Sequence, residues 1–255
     1  MIFRVILVTF LCLFSLASQA RVFNFGQENL APYLVGRGGY SSINNQPYSW
    51  QQASTYAGDA IDLIYGGEFG VYFRGGIMNI GAGILVQTMD AVTGARISDG
   101  SGNLLYTVDT TAMVYGPTFV FEFELAGTPT AHWFLSLGGG YQWAKIENQY
   151  SYAATGQALV GGQTSATESY RSEMPFATAG FGYEFHLSGS TTMHFFAGYH
   201  YSQGAQWKYG EGGQNLAGGH NQGGDALLED GTQRKIDWSY PYLQIGFRSY
   251  IDTIR

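Results

Sequence analysis

His200-Tyr201-Ser202 sets a histidine and a serine two residues apart, so in an extended chain both fall on one face. Nucleophilic catalysis needs such a base within hydrogen-bond reach of the hydroxyl, and a third group to orient the ring. Gln203 follows, and no acidic residue is placed to orient His200. His186, His194 and His200 offer ring nitrogens to a metal, but isolated inward histidines more often serve packing, so neither metal nor cofactor is expected. A third set combines Arg37 and Arg248 with Asp62, Glu68, Glu122 and Glu184. Enclosed in a low-dielectric wall, these charges must pair or be neutralised. The glycine-rich stretch Lys208–Arg234 carries Glu211, Asp225, Glu229 and Asp230 without calcium-loop spacing, and reads as a mobile surface loop.

The elements that position these residues are legible from Met113–Leu125, MVYGPTFVFEFEL. Met113, Tyr115, Pro117, Phe119, Phe121, Phe123 and Leu125 alternate with Val114, Gly116, Thr118, Val120, Glu122 and Glu124. A period of two places one set on each face of a long strand. Crossing a bilayer takes about 9–11 tilted residues, so this strand spans with its aromatics toward lipid and its glutamates inward. Pro117 cannot donate to a ladder and predicts a bulge or a pairing defect.

The same alternation recurs along the chain. Tyr33–Tyr40 turns Leu34, Gly36, Gly38 and Tyr40 outward and Arg37 inward. Gly58–Phe73 turns Ile61, Leu63, Tyr65, Phe69, Val71 and Phe73 outward, with Asp62, Glu68 and Tyr72 inward. Strands follow at Ile77–Met89, from about Leu104 to Leu125, at Trp133–Trp143, Pro175–Leu187, Met193–Tyr201 and Pro241–Ile251. Phe181, Phe185, Phe195, Leu243, Ile245 and Phe247 join Phe119, Phe121 and Phe123 on the lipid-facing side. His194, His200, Phe176, Phe196 and Tyr242 point inward. Connections alternate long and short; Asp90–Asn103, about Asn148–Ser169 and Lys208–Arg234 are among the long ones. Sorting loops by length in this way fits an even-stranded outer-membrane barrel. The fold expected is all-β, a single up-and-down antiparallel transmembrane β-barrel of eight strands, with ten the alternative if a loop hides a hairpin.

Composition agrees. Charged residues are 12% and aromatics 16%, a balance suited to a greasy outer wall and poorly suited to a water-soluble protein. Residues 1–20 read as a cleaved signal peptide, with Arg4, the apolar run Val5–Phe14 and Ser18-Gln19-Ala20 before Arg21. Residues 21–255 form the barrel. Cys12 lies in the leader, so no disulfide framework remains. Subtracting Arg4 from 12 basic residues leaves 11 against 19 acidic, a net charge of −8. That balance argues against nucleic acid.

Gly180-Phe181-Gly182-Tyr183-Glu184-Phe185, Gly198–Tyr201 and Gly246-Phe247-Arg248-Ser249-Tyr250 resemble strands of small OmpA-like and OmpW-like outer-membrane proteins of Gram-negative bacteria. The resemblance implies localisation in the outer membrane and assembly by the barrel-assembly machinery. Such chains usually end on an aromatic residue, whereas here Ile251–Arg255 follows Tyr250, so recognition would use Tyr250 or a divergent signal. His200 and Ser202 are similar to the His-x-Ser-Asn element of lipid A deacylases. That likeness implies ester hydrolysis, but Gln203 replaces the Asn and the register turns both residues away from lipid.

An eight-stranded barrel is just narrow enough for side chains to fill. The expected role is structural or interactive, without enzymatic activity. Outer-membrane lipid, lipopolysaccharide and a second copy of the chain are the expected partners. A small cation-selective, porin-like pore and the lipid A hydrolase are the alternatives. The thin outer face at Gly36 and Gly38 would let a neighbouring barrel approach closely.

Overall fold

The computed structural model describes residues 29–251, except 45, 51–52, 54, 59, 76–77 and 203–205. The proposed leader and Gln203 lie outside the described residues. Eight antiparallel strands form the ring: β1 (Leu30–Asn44), β3 (Ile61–Gly75), β4 (Met78–Met89), β6 (Leu104–Thr128), β7 (Ala131–Tyr152), β8 (Ser165–Ser188), β9 (Thr191–Tyr201) and β13 (Tyr240–Ser249). Each pairs with the next. β1 closes on β13 in the register Tyr33↔Arg248 to Gly39↔Tyr242. The expected eight-strand count holds. The further short strands lie in the connections: β2 (Thr55–Ala57), β5 (Val92–Ser98), β10 (Lys208–Tyr209), β11 (Gly213–Asn215) and β12 (Gly218–His220). Among the described residues one short helix, α1, covers Ala154–Leu159.

Alternation sorts the side chains as the sequence pattern requires. Phe119, Phe121, Phe181, Phe195, Leu243, Ile245 and Phe247 are exposed on the outer wall, and Phe123 and Phe185 are half-exposed on the same face. Small residues inside make room for large ones opposite. A Cβ on Gly83 would meet the Tyr33 hydroxyl, one on Gly182 the Phe134 ring, and one on Gly246 the His194 ring. Glycine opposite them thus makes room for several of the bulky inward side chains.

Pro117 opposes Ile84 of β4 in an unbroken register. Toward β7, pairing lapses between Tyr115↔Trp143 and Thr118↔Gly140. The missing donor produces the expected pairing defect without a bulge; the actual irregularity falls at Glu124/Ala126.

Three expectations change. At the start of β3 the alternation breaks, beside a register shift against β1 between Tyr40 and Asn44: Ile61 is fully buried, not outward, and Asp62 is half-exposed. The stretch Asn148–Ser169 is mostly strand, because β7 and β8 run on together as far as Ser151↔Ser165 before α1 intervenes. Lys208–Arg234 is not a bare loop. Its β10 pairs with β8, β11 pairs with β12, and Ala226 is fully buried.

Candidate functional site: a lumen sealed at two levels

The lower seal is built from inward residues of seven strands. Arg248 of β13 donates through Nη1 to Glu184 Oε2 at 2.7 Å and through Nη2 to Glu122 Oε1 at 2.6 Å. Its guanidinium lies 4.1 Å from the Tyr72 ring centre. Tyr72 donates to Glu122 and Tyr250 to Glu184, each at 2.9 Å, and Thr192 also donates to Glu184. Arg37 pairs with Glu68, which accepts from Tyr33 at 2.6 Å and from Thr118 at 2.8 Å. Below them, Arg74 pairs with Glu124, and His132 Nε2 lies 3.7 Å from Glu184. Every guanidinium here faces at least one carboxylate, which is what makes charge tolerable in a dry wall.

Of the residues expected in the ion-pair network, Arg37, Glu68, Glu122, Glu184 and Arg248 are brought together in two groups. Asp62 is not: it stands at the start of β3, six residues from Glu68, and is half-exposed. Arg74 and His132 were missed, and Glu124, though placed inward, was left out of the network. The signal for Glu124 was present, since it shares parity with Glu122 in the same strand.

His194 and His200 are buried, as inward residues should be. His194 contacts Gln244 at 3.3 Å. His200 is stacked between Phe176, at 4.8 Å, and Tyr240, at 4.9 Å, and neither of its ring nitrogens has a hydrogen-bond partner. Ser202 Oγ instead accepts from Gln142 at 3.0 Å and donates to the Pro175 carbonyl at 3.3 Å. His200 and Ser202 therefore form no base–nucleophile pair. Among the described residues, no group of three His, Cys, Asp or Glu side chains converges as a metal site.

The upper seal lies beyond the end of β9 and was not foreseen. Arg234, fully buried, reaches from the last connection to the first, donating through Nη1 to the carbonyls of Gln46 at 2.6 Å and Ser49 at 3.0 Å. It stacks 4.5 Å from the Trp50 ring and 5.3 Å from that of Tyr170. Buried Glu168 accepts from Tyr150 at 3.0 Å, and also from Tyr170 and Asn215. Burial pushes the Tyr150 and Tyr170 phenols well above the ordinary tyrosine value; the nearby Glu168 carboxylate adds to this and Arg234 opposes it. Trp207 and Trp238 are fully buried beside one another, with ring centres 6.2 Å apart. Three tryptophans in otherwise polar, glycine-rich connections were the available signal, since such residues rarely stand in bare loops.

Within the lower seal, a cavity of about 30 Å³ remains between the Arg37–Glu68 and Arg248–Glu122 groups, lined also by Ser136, His194 and Gln244. On the outer wall, a dent of about 420 Å³ lies over Gly36 and Gly38, between Tyr65 on one side and Leu243 and Ile245 on the other.

No protein-family model and no curated protein matches the chain. Solved structures do. A major outer membrane protein of Thermus thermophilus is 13% identical, covering 87% of this chain and 99% of its own, with a TM-score of 0.48. OprG of Pseudomonas aeruginosa is 9% identical over 91% of this chain and 100% of its own, with a TM-score of 0.47. Ail, the attachment invasion locus protein of Yersinia pestis, is 12% identical over 88% and 99%, with a TM-score of 0.41. Two of the three are outer-membrane proteins by description.

Proposed function

We propose that the chain is an outer-membrane barrel of structural or recognition function, which holds a rigid folded cap outside the bilayer and passes no solute. The supporting observation is the double closure: paired arginines and carboxylates below, around a cavity of about 30 Å³, and packed aromatics with Arg234 above. The cavity has room for one or two waters and is not a conduction path. Placement in a bilayer is supported by the outer wall. From Trp133 to Trp143 on β7, ten residues at about 3.3 Å each and tilted about 40° rise roughly 25 Å, the height of the apolar band of such barrels.

Purified protein in planar bilayers should show no steady conductance, and reproducible single-channel steps would overturn the closed-barrel reading. Gel mobility in detergent should change only after boiling, as for a folded barrel. Export through a cleaved leader, assembly by the barrel-assembly machinery and contact with lipopolysaccharide belong to the same reading. The dent over Gly36 and Gly38 favours a second copy of the chain as neighbour, because bare backbone permits close approach. Mass measurement in mild detergent giving monomer alone would remove that part.

A further inference from the structure

Above the apolar band, one side of the barrel carries an unusual row. Lys145 of β7 opposes Arg171 of β8, and Arg171 opposes Lys208 of β10. All three point outward. Adjacent strands lie about 4.8 Å apart, so three cations are aligned across three strands within roughly 10 Å. Like charges directly opposite each other are destabilising in a sheet. In a chain with a formal charge of −7, such a row needs a reason. Arg96, Lys145, Arg171, Lys208 and Lys235 are the described cations that face away from lumen and cap, and three of these five stand here.

Nearby acids account for part of the row only. Glu147 pairs with Lys145. Glu173 accepts from Tyr141 at 3.2 Å. Asp225 lies across a backbone bridge from Lys208, but no ion pair joins them. Arg171 and Lys208 have no side-chain partner among the described residues.

Height decides what can fill that place. The row sits two residues beyond Trp143, which packs 5.7 Å from Tyr115 and 5.8 Å from Tyr141. Such amphipathic rings gather at the headgroup level of a membrane. Directly below them begin the exposed apolar side chains Leu137, Phe119 and Phe121. A ligand with an anion at the level of Arg171 and hydrocarbon along β6–β8 would meet complementary surface over its whole length. The Arg171 guanidinium supplies a planar fork suited to phosphate oxygens, and Lys208 a second point charge.

We propose that Lys145, Arg171 and Lys208 form a binding site for the phosphate of a membrane lipid whose acyl chains lie against the wall below. The site rests on the bilayer placement given above and names the lipid chemistry that this wall selects.

The test uses the full chain in maltoside micelles, mixed with phosphatidic acid, with diacylglycerol of the same acyl chains, or with inorganic phosphate. Bound ligand is counted by native mass spectrometry. Phosphatidic acid should be retained, the other two should not, and Arg171→Gln/Lys208→Gln should retain about tenfold less phosphatidic acid. Added salt should release the lipid from the wild-type chain. Glu147→Gln, which frees the Lys145 ammonium, should hold it at least as well. Equal retention of diacylglycerol, equal binding of inorganic phosphate, or unchanged retention by the double variant would each overturn the site. If the double variant fails the boiling-dependent mobility shift, Lys145→Gln and the salt dependence decide the matter by the same criteria. A conducting lumen would sink the closed-barrel reading without touching this row, and a row indifferent to phosphate would leave the closed barrel standing.

Discussion

The Arg234 guanidinium lies 4.5 Å from the centre of the Trp50 ring, joining the last connection of the barrel to the first. Its other bonds go to main-chain carbonyls of Gln46 and Ser49, so one side chain fixes the path of a segment more than 180 residues away. Stacking on two rings and two charge-assisted bonds together contribute about 2–4 kcal/mol. Arg234→Ala should therefore open the cap to protease at sites in both connections, leaving the boiling-dependent mobility of the barrel unchanged. Arg234→Lys should protect only partly, because an ammonium cannot reproduce the planar stack. Cleavage rates indistinguishable from wild type would show that the cap is held by its apolar core alone.

A second expectation concerns Arg248, which serves Glu122 and Glu184 at once. Removing one partner of a buried pair strands the other and costs about 3–5 kcal/mol. Arg248→Leu should lower the urea midpoint of the folded barrel strongly. Adding Glu122→Gln and Glu184→Gln should recover much of the loss, since no unpaired charge then remains. If the triple variant is no better than Arg248→Leu, the carboxylates are not what the arginine compensates.

Inner and outer glycines should respond oppositely to added bulk. Gly83→Ala pushes a methyl against the Tyr33 hydroxyl, which is held by Glu68, so about 1–3 kcal/mol of stability should be lost. Gly36→Ala adds its methyl where nothing lies within 4 Å, and thermal stability in detergent should stay unchanged.

The cap tyrosines give a pH dependence. Burial raises the Tyr150 and Tyr170 phenols in the folded chain, whereas in the unfolded chain they titrate near 10. The stabilisation this gives is complete below about pH 10 and is lost as pH rises from there toward the folded values, because the unfolded state releases its protons first. Tyr150→Phe/Tyr170→Phe should flatten the alkaline decline in cap protection measured by hydrogen exchange. An unchanged decline would assign it to other groups.

How much of this was legible in the residues follows a physical divide. Alternation in Met113–Leu125 exposed the strand, its outward phenylalanines and inward Glu122, because a period of two needs no knowledge of partners. It failed at Asp62, where the alternation of β3 breaks at the start of the strand, beside a register shift against β1 that neither strand reveals alone. The cap was hidden for a related reason. Arg234, Trp50, Tyr170 and Glu168 meet only through contacts between distant segments, and no local period marks them. Glycine in Lys208–Arg234 suggested looseness, yet the stretch is anchored by β10 against β8 and by Trp207 and Trp238 beneath it.

The strands are of unequal length. β6, β7 and β8 run for 25, 22 and 24 residues, whereas β4, β9 and β13 stop after 12, 11 and 10. A three-stranded palisade left standing above its neighbours would offer two raw margins of unsatisfied amides, each an invitation to fibre growth by a passing chain. Here β5 lies along one margin, and the other is engaged at Ser169–Arg171 by β10 and the amide of Gly210. A tall face can thus stand clear of the ring with part of each raw margin already taken.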